Sequence, residues 1–196
     1  MDITASAIIC AVRNHGETGA IVRAFCEEYG MLAGYVQGAR GRQLRPVLIP
    51  GNVITGEWRT RITGQLARLT PEPLHSRAHL LGEPLAIAAI DWVTALTAAT
   101  LAEGVPYPRV HSAFDGLLSA IELAPAARVW AGAIAQYETL LLAELGYAED
   151  YDADSAPAAM MAQNRKRLVA HVLGDRRADV MAARERLVER LKRAVA

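Results

Sequence analysis

The sequence predicts an α+β protein in which a five-stranded β-barrel of the OB type is followed by an all-α helical domain. Roughly the first 70 residues contain about five short β-prone runs separated by many glycines, which is typical of a small barrel. After Pro71 and Pro73 the composition changes, and the remaining chain is rich in alanine and leucine. We therefore predict an OB domain over 1–72, a connector over 73–84 and a helical domain over 85–196.

Short apolar or alternating runs indicate the strands. Residues 7–12 form an apolar, β-prone run, whereas 20–26 fit either a strand or a helical turn because periodicity cannot separate the two at this length. Glycines within 30–36 favour a hairpin partner for that segment. The remaining candidates are a strand end and turn over 47–52 and further strands over 56–63 and 65–69.

Five helices are expected in the second domain. Pro108 suits the first turn of a helix, where its missing N–H would have no partner in any case. Gly146 and Gly174 are placed to end two helices, since glycine accepts the left-handed conformation that often follows a helix. The last helix has arginine and lysine in its final turns, where they complement the helix dipole. The predicted ranges are 85–103, 108–123, 125–145, 158–173 and 175–195.

Composition restricts the class of protein. About half of the 196 residues are apolar, yet no run approaches the ~20 apolar residues of a membrane span. The N-terminus lacks the features of a signal peptide. Two cysteines, Cys10 and Cys26, are too few for a disulfide scaffold and fit a reducing compartment. We expect a cytoplasmic protein that has no membrane contact and no cofactor.

The net charge of zero conceals an uneven distribution. Residues 1–83 carry +2, residues 84–156 carry −8 and residues 157–196 carry +6. Because nucleic acid responds to the local field, a neutral total does not exclude it as a ligand.

No pattern in the sequence indicates catalysis. A nucleophile elbow, a phosphate-binding loop and a zinc-protease motif are all missing from the sequence. His75 and His79 are four residues apart and could share a helix face as metal ligands of a hydrolase. Neither a cysteine nor an obvious carboxylate accompanies them, so a surface or linker pair is favoured. We predict no catalytic residue.

A flexible basic loop is the most informative feature. Arg40, Arg42 and Arg45 lie within six residues, next to Gly38 and Gly41. Arginine holds phosphate oxygens in a bidentate geometry, and glycine lets the backbone approach a ligand. The alternative is an ordinary solvated loop. Because Arg59 and Arg61 would share one strand face, and Arg13 closes the first strand, supporting DNA contacts are expected from Arg13, Arg59 and Arg61.

The basic C-terminal region is less specific. A second DNA surface could consist of Arg176, Arg177 and Arg184. Arginines there mix with Glu185 and Glu189 at helical pair spacings, which favours a solvated helix face instead.

Three blocks of sequence occur in a recognisable order. The first contains Gly16-Glu17-Thr18, then Tyr29-Gly30, then Val36-Gln37-Gly38-Ala39-Arg40. The second runs from Tyr137 to Tyr147 and reads YETLLLAELGY, and the third is Ala183-Arg184-Glu185-Arg186-Leu187. In this order and spacing the chain resembles the bacterial RecO family of recombination mediators, nearly from end to end.

The resemblance implies a function as well as a fold. RecO-like proteins join an OB fold to a helical domain, bind single- and double-stranded DNA, anneal complementary strands and associate with RecR. They also bind the acidic, apolar C-terminal tail of single-stranded DNA-binding protein (SSB), and they indirectly help to load RecA in the RecFOR pathway. The resemblance thus implies a non-enzymatic DNA repair and recombination protein of the cytoplasm, associated with the nucleoid.

The chain departs from this family in two places. Many relatives carry a four-cysteine zinc module after the Leu-Gly-aromatic motif, whereas residues 148–154 contain no cysteine, so we predict no metal. Relatives often have arginine before the helix aromatic, whereas here Gln136 precedes Tyr137. We therefore expect contacts with the SSB tail to involve Tyr137 together with Arg109 or Arg128.

A non-catalytic adaptor is the alternative interpretation. In that case the barrel would bind a partner protein or peptide, and DNA contact would be incidental. An affinity for DNA that barely responds to salt would favour the adaptor.

Overall fold

A computed structural model of the chain describes residues 2–60, 62, 64–124, 126–147, 156–174 and 178–195. It divides into two compact units. The first comprises Met1–Gly82 together with Leu101–Pro108, and the second comprises Glu83–Thr100 together with Arg109–Ala196.

The first unit is a closed five-stranded barrel. Its strands are β1 (Asp2–His15), β2 (Gly19–Cys26), β3 (Gly30–Val36), β4 (Val53–Arg59) and β5 (Ala67–His75). The strand order is β1-β2-β3-β5-β4, and all neighbours are antiparallel except β3 and β5. The predicted OB-type barrel that precedes a helical region is confirmed.

The barrel interior is filled from alternate positions of each strand. Trp58 is its largest side chain and is 1% exposed. Two glycines make room for the indole, because a Cβ atom at Gly34 would lie 3.0 Å from Trp58 and one at Gly56 would overlap its ring. Leu69 packs at the same level. Strand alternation therefore sends the neighbouring polar residues of β4 and β5 outward.

The turn predicted over 47–52 is confirmed, but the strand end predicted there was wrong. These residues are the end of a turn-rich segment over 37–52, whose buried Ala39 and Leu48 belong to the barrel core. The side-chain amide of Asn52 donates to the carbonyls of Pro46 and Val47, both at 3.1 Å. The end of the segment is also bonded to β1, because the Gly51 N–H donates to the Ile9 carbonyl at 2.8 Å and the Ile9 N–H donates to the Asn52 carbonyl at 2.9 Å.

Strand β5 continues beyond the predicted end of the first domain. It passes through Pro71 and Pro73 and ends at His75. Pairing with β3 involves only Ala67 and Arg68 of β5. Beyond Arg68, β5 has no strand paired with it on the side of β3. Pro71 and Pro73, which lack an N–H group, are therefore tolerated at this edge.

The second unit contains the five helices that were predicted. They are α1 (Pro84–Thr100), α2 (Pro108–Leu123), α3 (Ala127–Glu144), α4 (Pro157–Arg167) and α5 (Ala178–Val195). A short 3-10 helix, Ala78–Gly82, precedes α1, and α4 continues as a π-helical segment, Leu168–Leu173. Both predicted terminating glycines adopt positive φ, 86° at Gly146 and 51° at Gly174.

Helix α1 ends three residues earlier than predicted. The residues that follow it belong to the barrel unit, where Glu103 forms a bridge with Met31 and the N–H of Gly104 donates to the Met31 carbonyl at 3.0 Å. Across the described part of the chain, no helix is both long and apolar enough to span a membrane.

Candidate nucleic-acid interface

Outward-facing residues of all five strands form one row across the barrel. Arg13 of β1 lies opposite Ile21 of β2, which lies opposite Tyr35 of β3. Tyr35 is paired with Arg68 of β5, and Arg68 lies opposite Arg59 of β4. Directly paired residues point to the same face of a sheet. We call these five residues the cross-strand row.

The row presents charged side chains to solvent, because successive residues of a strand alternate between the barrel interior and its outer surface. Arg13, Arg59 and Arg68 are exposed, and Ile21 and Tyr35 are half-buried. Their chain neighbours Trp58 and Leu69 point into the core. Arg13 and Arg59, predicted separately from the sequence, are the first and last members of this row. The row winds around the closed barrel, so Arg59 lies opposite Asp2, at the other end of β1 from Arg13. Arg68 was missed, although the Arg68-Leu69-Thr70 alternation marks it as outward-facing once β5 is recognised as a strand.

The arginine loop is a chain of hydrogen-bonded turns, whereas the sequence suggested a flexible segment. The N–H of Gly41 donates to Gly38 at 2.9 Å, Arg45 to Gly41 at 3.0 Å and Leu48 to Leu44 at 2.9 Å. Its apolar residues pack into the barrel, which leaves the charged ones in solvent: Arg40, Arg42 and Arg45 are exposed.

Two of the loop arginines converge on a cavity of about 330 Å³. Arg40 and Arg45 line it with Asn14, and the N–H of Arg40 donates to the carbonyl of Thr18 in the β1–β2 turn at 3.3 Å. The apolar lining residues are Val12, Ala20, Ala39 and Leu48. Two guanidinium groups and an amide provide donors for an anion such as a phosphate. Arg42 does not line this cavity.

Nearby carboxylates make some arginines weaker candidates than others. Arg59 forms an ion pair with Glu57 and lies opposite Asp2, so its charge is partly neutralised. Arg23, which also faces outward, lies 3.5 Å from Glu103 and donates to the Leu101 carbonyl at 3.4 Å. We therefore assign Arg23 to the barrel structure. Arg13 and Arg68 remain the stronger members of the row.

Three predicted DNA contacts lie outside the described residues: Arg61, Arg176 and Arg177.

The prediction that Arg184 forms part of a DNA surface was wrong. Arg184 is 2% exposed, and its Nε and Nη2 donate to the two carboxylate oxygens of Glu138, each at 2.9 Å. Nη2 also donates to the Met161 carbonyl at 2.6 Å, and Trp92 donates to Glu138 at 2.9 Å. Burial raises the pKa of the Glu138 carboxyl, and the hydrogen bonds from Arg184 and Trp92 oppose that rise. Arg184 therefore holds the helical core together.

The residues predicted to bind the SSB tail have different environments. Tyr137 is buried, with its hydroxyl 2.6 Å from Thr97 Oγ1, and it lines a groove of about 380 Å³ between α2 and α3 beside Gln136. Arg109 forms an ion pair with Glu144 at 3.1 Å. Arg128 is exposed on α3. The structure thus brings Tyr137 to a groove but leaves Arg109 engaged elsewhere.

The histidine pair does not form a helical metal site. His75 ends β5, whereas His79 lies in the short 3-10 helix, so the two do not share a helix face. No group of three metal-binding side chains occurs among the described residues. Residues 148–154, on which the expectation of a zinc-free chain depends, lie outside that part of the chain.

Comparison with known families covers both units. The family model described as "Recombination protein O N terminal" matches residues 1–77, and "Recombination protein O C terminal" matches residues 81–195.

Curated relatives named DNA repair protein RecO are similar over most of the chain. The Gluconacetobacter diazotrophicus protein is 35% identical over 156 residues, which are 78% of this chain and 61% of the relative. The Ruegeria protein is 36% identical over 157 residues, 80% and 64% of the two chains, and the Caulobacter vibrioides protein is 34% identical over 154 residues, 78% and 62%. The matches therefore span less than two thirds of these relatives. The chain belongs to the RecO family of DNA repair proteins.

Proposed function

We propose that this chain is a non-enzymatic recombination and repair mediator that binds single- and double-stranded DNA on its barrel. The observation that carries the proposal is the cross-strand row, in which the exposed Arg13 and Arg68 lie on either side of Tyr35 on the outer surface of the barrel. The relatives are named as DNA repair proteins, and a DNA-binding surface on the barrel fits that name.

The surface is suited to holding a phosphate backbone. The row offers Arg13 and Arg68, and the adjoining loop offers Arg40 and Arg45 around a cavity. Guanidinium groups bind phosphates by charge and by paired hydrogen bonds, without any demand on base sequence. Such a surface binds DNA of any sequence, as a strand-annealing mediator requires.

Annealing and RecA loading are the further steps of the proposal. A protein that binds two complementary strands neutralises their phosphates and reduces their mutual repulsion. We place this activity in the cytoplasm at the nucleoid, together with RecR and with strands coated by SSB. Loading of RecA would follow indirectly, once the coating protein has been engaged.

A strand-annealing assay tests the proposal. Complementary oligonucleotides coated with SSB should anneal faster with the protein than spontaneously. The double variant Arg13→Ala/Arg68→Ala should lose most of the acceleration. If the wild-type protein does not exceed the spontaneous rate, the mediator function is contradicted.

The groove between α2 and α3 is our proposed site for the SSB tail. Its lining is apolar and small, with Ala113, Gly116, Leu117 and Tyr137 among its residues, and it could accept an apolar peptide end. A Cβ at Gly116 would meet nothing within 4 Å, so Gly116→Leu should fill the groove without disturbing the helix. We expect this variant to lose binding of a synthetic tail peptide in fluorescence anisotropy. Gly82→Leu, also in open space, should retain it. Equal affinity of the two variants would place the tail elsewhere.

A protein–protein adaptor remains the second candidate. The groove at Tyr137 accepts a peptide more readily than a nucleic acid, so it suits an adaptor as well as a mediator and does not separate the two. An affinity for DNA that barely changes with salt, together with tight binding of a partner protein, would select this function.

A further inference from the structure

An aromatic ring occupies the centre of the cross-strand row. Tyr35 lies on β3, the middle strand of the five in the row, and is paired directly with Arg68 on one side. On its other side Ile21 separates it from Arg13. Neighbouring strands are about 4.8 Å apart, so the backbone position of Arg68 is about 5 Å from that of Tyr35 and the position of Arg13, two strands away, is about 10 Å from it.

The ring is held on the outer surface of the barrel. A Cβ atom at Gly19 would overlap the Tyr35 hydroxyl and lie 2.5 Å from ring carbons Cε2 and Cζ, so the ring lies directly over this glycine. Gly19 is buried although its partner His15 is exposed, because the ring covers it. The His15 ring meets Tyr35 edge-on at 6.1 Å and 82°. One side of the tyrosine therefore rests on the barrel and the other points away from it.

We propose that Tyr35 is a base-stacking residue and that it makes the barrel prefer single-stranded to duplex DNA. The inference rests on the proposed DNA-binding function. A base in a single strand can expose its face to an aromatic ring, whereas bases in a duplex are already stacked on their neighbours. Arg13 and Arg68 on either side would hold the flanking phosphates while the base lies on Tyr35.

The simpler role for Tyr35 is to cover Gly19, and two substitutions separate the roles. Tyr35→Leu keeps an apolar cover over the glycine but removes the aromatic face. Tyr35→Phe keeps both the cover over Gly19 and the aromatic face. Tyr29→Leu is the matched control, because Tyr29 is 39% exposed in the β2–β3 turn, at the far end of both strands from the row.

Affinity for three probes tests the inference: a short oligothymidylate, a deoxyribose-phosphate strand of the same length without bases, and a duplex. Tyr35→Leu should weaken binding of the oligothymidylate roughly 5- to 100-fold, and leave the other two probes within about twofold of the wild type. Tyr35→Phe and Tyr29→Leu should match the wild type on all three. Equal loss on all three probes, or no loss on oligothymidylate, would overturn the inference.

A cross-linking measurement on the wild-type protein makes the test independent of variant folding. Oligothymidylate with 5-iodouracil bases should cross-link to Tyr35 on irradiation, and cross-links exclusively at other residues would contradict stacking there. If the wild type binds none of the three probes, the proposed DNA-binding function fails as well. If the wild-type protein binds DNA, and the Tyr35→Leu variant binds oligothymidylate as tightly as the wild type does, only the stacking role of Tyr35 fails.

Discussion

The neighbours of an arginine decide whether it serves structure or recognition. Arg184 and Arg40 have the same side chain, yet one is enclosed by Glu138, Met161 and Trp92 while the other is exposed beside a cavity. The sequence could not distinguish them, because Glu138 lies 46 residues before Arg184. The basic C-terminal run therefore looked uniform although α5 buries Ala183, Arg184 and Leu187 on one face.

Removing the Arg184 guanidinium should destabilise the helical unit severely. Arg184→Ala leaves the Glu138 carboxylate buried without its ionic partner, and we expect a loss of about 3–5 kcal/mol in the free energy of unfolding. Urea denaturation followed by circular dichroism measures it. Arg186→Ala, an exposed change two residues away, should remain within about 0.5 kcal/mol of the wild type. Similar losses for both would contradict the assigned role.

The two cysteines should be inert in the folded protein. Cys10 and Cys26 are both buried and free, and burial raises the pKa of the Cys10 thiol well above its usual range. Since the thiolate is the reactive form, a thiol-specific reagent at neutral pH should label neither residue until denaturant is added. Rapid stoichiometric labelling of the native protein would show that the barrel core is more open than described.

Among the structural elements, the strands and helices could be predicted but their pairing could not. Hydrophobic patterns located most elements within a few residues, and glycine and proline marked several of their ends. Cross-strand register is a non-local property, so nothing in the sequence placed Arg68 beside Tyr35 or Arg13 in the same row as Arg59. The prolines of β5 also suggested a domain end where the strand continues.

Substitution of Gly30, the first residue of β3, tests the contact between this strand and the segment Leu101–Pro108. Gly30 and Gly16 both have positive φ, 69° and 68°, but a Cβ at Gly30 would overlap the Val105 backbone whereas one at Gly16 meets nothing within 4 Å. Gly16→Ala should cost about 1–2 kcal/mol from backbone strain alone. Gly30→Ala should lower the free energy of unfolding by about 1–3 kcal/mol more than Gly16→Ala does, because the backbone at Val105 must move to admit the new Cβ atom. Thermal melting of the two variants compares these costs, and equal values would exclude the close approach at Val105.

On the scale of the whole molecule, the net charge of zero says little about the ligand. Arg13 and Arg68 lie in the row with Ile21 of β2 and Tyr35 of β3, while the acidic pair Glu27-Glu28 lies in the β2–β3 turn, at the other end of β2 and β3. The sequence gives residues 1–83 a net charge of only +2, because the count averages over both ends of the barrel. The count also cannot separate exposed arginines from those engaged in the fold, such as Arg23 and Arg77. Family resemblance and geometry together were needed to propose a DNA-binding surface.

The salt dependence of DNA affinity tests the central claim most directly. For single strands the slope of log affinity against log salt changes by about 0.7 for each phosphate contact, so Arg40→Ala/Arg42→Ala/Arg45→Ala should flatten it by about 2 and weaken binding. A matched variant, Arg186→Ala/Arg190→Ala/Arg193→Ala, removes the same charge from α5 and should leave the slope within about half a unit of the wild type. If the loop variant keeps both the affinity and the slope of the wild type, or if the two triple variants change them equally, the barrel surface described above is not the DNA-binding site.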